Sequence, residues 1–282
     1  MPVLRICAQR ECTVRSLLRG AGVSAELTKQ LKNLPDGITR AGEQLHTDRT
    51  VHPGETVELR WHEHCDFDAN ASLSVPVAYE SSGLLVCDKP TEMPVHPSML
   101  HRSDTLANWF AAHYPDAGFH AVNRLDRNTS GLCLIAKDAY AANAVSGTVQ
   151  KRYFALVKPG LRGSGTVEAP IARERESVIM RCVRADGQRA VTHWRVLCEN
   201  GLCALVMLMP ETGRTHQIRV HMAHIGFPLL GDGLYGGDCR ILQAHALHCG
   251  YLAFTEPETG KAVTLTCPLR ADMQALVPGF AE

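Results

Sequence analysis

The chain has 282 residues, 45% of them hydrophobic, and its 29 Lys and Arg are matched by 29 Asp and Glu. That apolar content is enough for a real core and excludes a disordered chain, while the zero formal charge excludes a broadly basic surface, so any nucleic-acid binding has to come from local patches. No apolar run approaches the roughly 18 residues of a membrane span, no export signal opens the chain, and the 11 Cys are odd in number and scattered, so reduced thiols and a cytoplasmic location are expected.

The first predicted elements form a small unit. Val14, Leu17 and Leu18 recur with helical spacing, Gly20-Ala21-Gly22 breaks the pattern, and a second helix ends near Leu34. Pro35-Asp36-Gly37 is a turn, followed by short strands at residues 38–40, 44–46 and, beyond Pro53-Gly54, 55–61. His62-Glu63-His64-Cys65 is the one run that looks like a set of metal ligands. It is too short to wrap a tetrahedral ion and no Cys-x-x-Cys completes it, so no metal is expected. The polar stretch 65–74 reads as a linker.

A larger unit follows. Residues 75–80 and 84–88 are strand-like runs about Ser81-Ser82-Gly83, and a helix at 105–113 carries Leu106, Trp109 and Phe110 on one face, with Ser103 or Asp104 as its cap. Trp109 is therefore read as a core residue rather than a platform for a base. The stretch with most chemical content is His120 to Lys137. Here Asp126 stands between Arg124 and Arg127, Thr129-Ser130-Gly131 turns the chain, and Leu132, Leu134, Ile135 and Ala136 enter a buried strand. A carboxylate flanked by two guanidinium groups and anchored by a core strand is a candidate reacting group; the same cluster also fits a solvated surface network.

Residues 139–148 suit a helix, and 151–157 a strand bearing Tyr153. A phenol in such a strand is commonly a packing residue, yet its face can stack on a base and its hydroxyl can move a proton. Arginines at 173, 175, 181, 184, 189 and 195 make the strongest basic stretch, offset by Glu174, Glu176 and Asp186, and residues 178–184 and 190–198 are expected to pair as a hairpin about Asp186-Gly187. A hydrophobic strand at 203–209 leads to Pro210-Glu211-Thr212-Gly213-Arg214-Thr215-His216-Gln217-Ile218-Arg219-Val220-His221. A turn-rich loop there ends at Thr215, the expected N-cap of a helix running to Ile225. Ile218, Met222 and Ile225 share its buried face. His216 and His221 fall on different faces and do not suggest a metal site.

Two of these strings are long and specific. Arg124-Leu125-Asp126-Arg127-Asn128-Thr129-Ser130-Gly131-Leu132 and Gly213-Arg214-Thr215-His216-Gln217-Ile218-Arg219-Val220-His221 closely resemble signature elements of RluA-type pseudouridine synthases. Asp88-Lys89-Pro90, Val95-His96-Pro97, Lys151-Arg152-Tyr153 and Leu230-Gly231-Asp232-Gly233-Leu234-Tyr235-Gly236 extend the likeness from about Leu84 to Leu269. The two helices and small hairpin ahead of it are similar to the S-four-type RNA-binding domain. Two departures are visible: Asn123, where the family often has histidine, and Cys249, where alanine is more usual.

The resemblance implies an α+β fold: a pseudouridine synthase core with a central mixed, mostly antiparallel sheet flanked by helices, plus a small N-terminal α/β module. The implied division is residues 1–64, a linker at 65–74 and a catalytic domain at 75–282. It implies uridine-to-pseudouridine isomerisation in RNA without a cofactor, with Asp126, Tyr153 and Arg219 as the catalytic set and Arg219 salt-bridged to Asp126. Arg124 would enter the RNA stack, and Arg127, Lys89, His96, Arg214 and His216 would contact RNA. Ribosomal RNA of the large subunit is the first expected substrate and transfer RNA the second, and a monomer is expected. Two rivals stand beside this reading. One is a glycosidase-like hydrolase using Asp126 with a second acid such as Asp88; the other is an RNA-binding protein of the same fold that has lost the reaction.

Overall fold

The computed structural model describes residues 2–175, 177 and 179–280. Glu176 and Val178, expected in the basic stretch and at the start of its hairpin, lie outside these residues. The N-terminal unit is built on two short helices, Val14–Gly20 and Ala25–Lys32, each started by a hydroxyl: Thr13 accepts from the Ser16 amide and Ser24 from the Leu27 amide. Their buried Leu18, Leu27 and Leu31 pack with Val57 and Leu59 of a four-stranded antiparallel sheet ordered Val3–Cys7, Thr56–Arg60, Ile38–Arg40, Glu43–Gln44. Sequence reasoning assigns no strand to Val3–Cys7, although it pairs along its whole length with Thr56–Arg60. As an edge strand it buries little, and its near-continuous apolar residues carry no clear period.

Glu63 ties this unit to the larger one. One of its oxygens accepts from the Ala139 amide at 2.9 Å, at the start of the helix Ala139–Ser146, and the other meets His120 Nε2 at 3.3 Å. Residues 65–74 contain no helix or strand, yet they lie packed on the core, with the Phe67 ring edge-on to Phe119 at 5.7 Å.

A ten-stranded sheet forms the larger unit. Its path runs Ser164–Glu168, Val191–Glu199, Ala204–Pro210, Gln150–Val157, Leu247–Thr255, Ser130–Ala136, Leu84–Lys89, Val77–Glu80, with His120–Ala121 and Ala262–Thr266 pairing off the path. Every pairing is antiparallel except one. Ser130–Ala136 runs parallel to Leu247–Thr255 and meets it only through Ser130 with His248 and Gly131 with Cys249. Contact at this seam is tight: Gly131 has φ +101°, and a Cβ there would lie 2.4 Å from the Cys249 carbonyl oxygen. Helices flank the sheet, so the architecture is the expected α+β fold with a mixed, mostly antiparallel sheet. Among the described residues no helix is long and apolar enough to cross a membrane.

Two local expectations fail here. The helix Leu106–His113 is capped by Thr105, not by Ser103 or Asp104: the Thr105 hydroxyl accepts from the Asn108 amide while the Asn108 side chain accepts from the Thr105 amide. That reciprocal box needs a partner three residues on, which Thr105 has. Trp109 on this helix is buried, as expected. The hairpin about Asp186-Gly187 does not form either. Arg181–Val183 pairs with Ile171–Arg173, whereas Val191–Glu199 pairs with Ser164–Glu168 and Ala204–Pro210. Beyond the turn Gln188 exchanges two 2.9 Å backbone bonds with Ile171, so long-range pairing overrides a strong local turn signal.

Candidate active site

The loop that leaves the central seam is held from beneath by Lys89. This side chain is fully buried, and its ammonium donates to the carbonyl oxygens of Pro90, Met93 and Arg127 at 2.6, 2.8 and 3.1 Å. Burial pulls its pKa down to about 8. Lys89 therefore has no surface to offer RNA, which corrects the expected contact; the sign was present in the sequence, since Lys89 stands two residues beyond the apolar run Leu84-Leu85-Val86-Cys87, on the same strand face as the buried Cys87. Lys89→Met is expected to destabilise the protein by about 2–4 kcal/mol by leaving three carbonyls unpartnered, read as a lower urea midpoint with unchanged RNA affinity of the folded protein. An unchanged midpoint with weakened RNA binding would restore the contact role.

Further ties fix the same loop. The Thr129 amide donates to the Asp126 carbonyl at 3.0 Å, and the Thr129 hydroxyl meets His245 Nε2 at 2.8 Å. Burial drives the His245 pKa down to about 2, so this ring is neutral. Asn123 staples the loop across its base: its Nδ2 donates to the Leu132 carbonyl at 2.9 Å and its Oδ1 accepts from the Leu134 amide at 2.6 Å.

Asp126 is thereby presented at an open cleft of about 470 Å³, and it is the one carboxylate among the described lining residues. Asp88 lies outside, paired with Leu132 in the sheet, so the second acid a hydrolase needs is not in place. Arg219, on the helix Gln217–His224, donates from Nη1 to Asp126 Oδ2 at 3.0 Å, and His216 Nε2 stands 3.8 Å from the same oxygen. No hydrogen bond to Oδ1 is made among the described residues.

The start of that helix departs from expectation. Its N-cap is His216, in the left-handed conformation at φ 56° with no side-chain cap, and Thr215 is exposed. Gln217 shapes the loop instead: its Oε1 accepts from the Arg214 amide at 3.0 Å and the Thr212 hydroxyl at 2.7 Å, while its Nε2 donates to the Val191 carbonyl at 2.9 Å. His221 spends both ring nitrogens on Thr192 and the Ala169 carbonyl and is a packing residue.

Tyr153 forms the opposite wall. It lies opposite Cys249 next to an irregularity in the strand register, and its ring is nearly buried. Burial raises the phenol pKa well above its ordinary value, while the neighbouring Asn123 side chain pulls the other way. The two positions at which the sequence departs from the family pattern thus both flank Tyr153.

Eight of the nine expected site residues line the cleft: Asp126, Tyr153, Arg219, Arg124, Arg127, His96, Arg214 and His216. Arg124, Arg127 and Arg214 are exposed and supply the local positive charge that the balanced composition withholds elsewhere. The arginine-rich stretch beyond Ile171 is partly neutralised, with Arg184 on Asp186 and Arg189 between Glu168 and Glu211. Sequence reasoning missed Asp232. Its carboxylate takes the other two guanidinium positions of Arg219, Nε at 2.7 Å and Nη2 at 2.8 Å. Burial opposes the charge of Arg219, but Asp232 outweighs it and raises the pKa. The sign available was an acid set in Leu229-Leu230-Gly231, where an unpaired charge could not stay.

Comparison with known proteins gives the family. Residues 83–224 match the RNA pseudouridylate synthase family. YjbO, an RNA pseudouridine synthase of Bacillus subtilis, is 37% identical over 95% of this chain and 99% of its own length. Ribosomal large subunit pseudouridine synthase D of Pseudomonas aeruginosa is 35% identical over 85% of this chain and 82% of its own. Among solved structures, human RNA pseudouridylate synthase domain containing 1 superimposes with a TM-score of 0.59 at 25% identity, covering 72% of this chain and 86% of that one. With that family match and a relative similar over nearly the whole length, the chain belongs to the RNA pseudouridine synthases and is an isomerase that converts uridine in RNA to pseudouridine.

Proposed function

We propose that the chain modifies specific uridines of large-subunit ribosomal RNA, with Asp126 as the carboxylate at the reacting nucleotide. One observation carries the second part: Asp126 is the one acid among the described residues of the cleft, tied through a single oxygen. The substrate class rests on relatives that bear the name of ribosomal large subunit pseudouridine synthase D. The target base leaves its stack at a cost of a few kcal/mol, exposed Arg124 fills the space, and the face of Tyr153 packs on the base. The bond from N1 to C1′ breaks, the base turns, and a bond from C5 to C1′ forms. C5 loses a proton and N1 gains one, so atoms balance without a cofactor. One carboxylate with a free oxygen serves covalent attack on C1′ or proton abstraction from the ribose equally well.

Transcriptome-wide pseudouridine mapping tests the whole reading. A deletion strain should lose one or a few sites in large-subunit RNA, restored by the wild-type gene and not by Asp126→Asn. Loss confined to transfer RNA would overturn the substrate, and restoration by Asp126→Asn would overturn the role of the acid.

A further inference from the structure

Arg219 could fork both oxygens of Asp126, the geometry guanidinium and carboxylate groups favour, yet it holds only one. The turn after its helix explains why. Gly231, at φ +74°, lets the chain pass so close to Ala244 that a Cβ would sit 2.3 Å from its carbonyl oxygen, and amides of Tyr235 and Gly237 close onto the Asp232 carbonyl at 3.1 and 2.8 Å. Asp232 is fixed there, almost wholly buried, with the fork of Arg219 on its two oxygens. Tyr235, on the same turn, lays its ring 4.9 Å from the guanidinium centre. Its hydroxyl accepts from the Arg181 amide at 3.0 Å and lies 2.8 Å from His216 Nδ1. A phenol proton directed at Nδ1 leaves the imidazole its own proton on Nε2, which faces Asp126 Oδ2. His216 keeps a left-handed backbone to be there, and strain of this kind persists where surroundings impose it.

We propose that the turn from Asp232 to Tyr235 is the positioning element of this active site. Asp232 occupies the fork of Arg219 and Tyr235 orients His216, so that the Arg219 guanidinium and the His216 ring both face one oxygen of Asp126 and the other stays open to the nucleotide. Neither residue touches the cleft. Both act through another side chain. The inference rests on Asp126 being the reacting carboxylate. Without Asp232, Arg219 is free to fork Asp126 and cover both oxygens, which harms the chemical step and not RNA binding.

The test uses total RNA from a deletion strain as substrate and the full-length protein, assayed below its melting midpoint. Asp232→Asn should lower kcat at least tenfold with KM within twofold, and Tyr235→Phe three- to tenfold with KM likewise unchanged. A merely structural loss would multiply with any other, so the decisive arm is the background Arg219→Lys, which has no fork. There Asp232→Asn should cost less than a further twofold. Wild-type kcat in both variants, a loss that lies in KM, or a full tenfold loss in the Arg219→Lys background would overturn the proposal. If Asp232→Asn does not fold, Tyr235→Phe, which removes one oxygen atom, decides alone. Asp126→Asn is assayed alongside: activity there sinks the reading of Asp126, whereas an inactive Asp126→Asn with full-rate Asp232→Asn and Tyr235→Phe sinks only the positioning role.

Discussion

Asp126→Asn is expected to bind RNA and to unfold at the wild-type midpoint while losing on the order of a thousandfold or more in turnover, the scale seen when a reacting group is removed. The substitution is isosteric, and its amide oxygen can still accept from Arg219 Nη1. Arg219 keeps its two bonds to Asp232, so no buried charge is stranded. The loop backbone is held by Lys89, Thr129 and Asn123 through bonds that do not involve the carboxylate. Stability and function are therefore separable at this residue. Single-turnover assays beside thermal melts check both halves, and residual activity above about a tenth of wild type would remove Asp126 from the reaction.

Arg219→Ala should behave in the opposite way, losing activity and stability together. It leaves Asp232 almost wholly buried without its cation, and breaking a buried pair by removing one partner costs roughly 3–5 kcal/mol. For a protein of this size that lowers the melting midpoint by roughly 10 °C. The penalty comes from the orphaned carboxylate rather than from the lost contact. The double variant Arg219→Ala with Asp232→Ala should consequently melt higher than Arg219→Ala alone, while remaining inactive. A double variant that melts lower still would place the cost in lost packing.

Most of the large unit was legible because its strands are short apolar runs punctuated by turns, and the strand expected at 151–157 falls at Gln150–Val157. What local pattern could not supply was partner choice. Asp186-Gly187 has hairpin chemistry, but the strands on either side pair elsewhere, Arg181–Val183 with Ile171–Arg173 and Val191–Glu199 with Ser164–Glu168 and Ala204–Pro210. Asp126 and Arg219 were brought together by family resemblance, since nothing in spacing links residues 93 apart. Asp232 lay inside a recognised string without a role for the same reason. Lys89 shows the reverse case: its position at the end of a buried run was readable and outweighs the habit of assigning lysines to phosphates.

The seam at Ser130 and Gly131 has a kinetic consequence. Asp126 comes from the segment preceding one strand of the seam, Tyr153 from a strand on the other side of it, and His216 and Arg219 from the start of the helix that follows Ala204–Pro210. Strand pairings of long sequence separation form slowly because loop closure must precede the contacts that reward it. During refolding from urea, recovery of isomerase activity should therefore coincide with the last cooperative step of the large unit, well after helical signal returns, and no fragment holding only one side of the seam should regain any. The two-residue join makes catalysis a late reporter of complete folding, one that newly made chains cannot satisfy by halves.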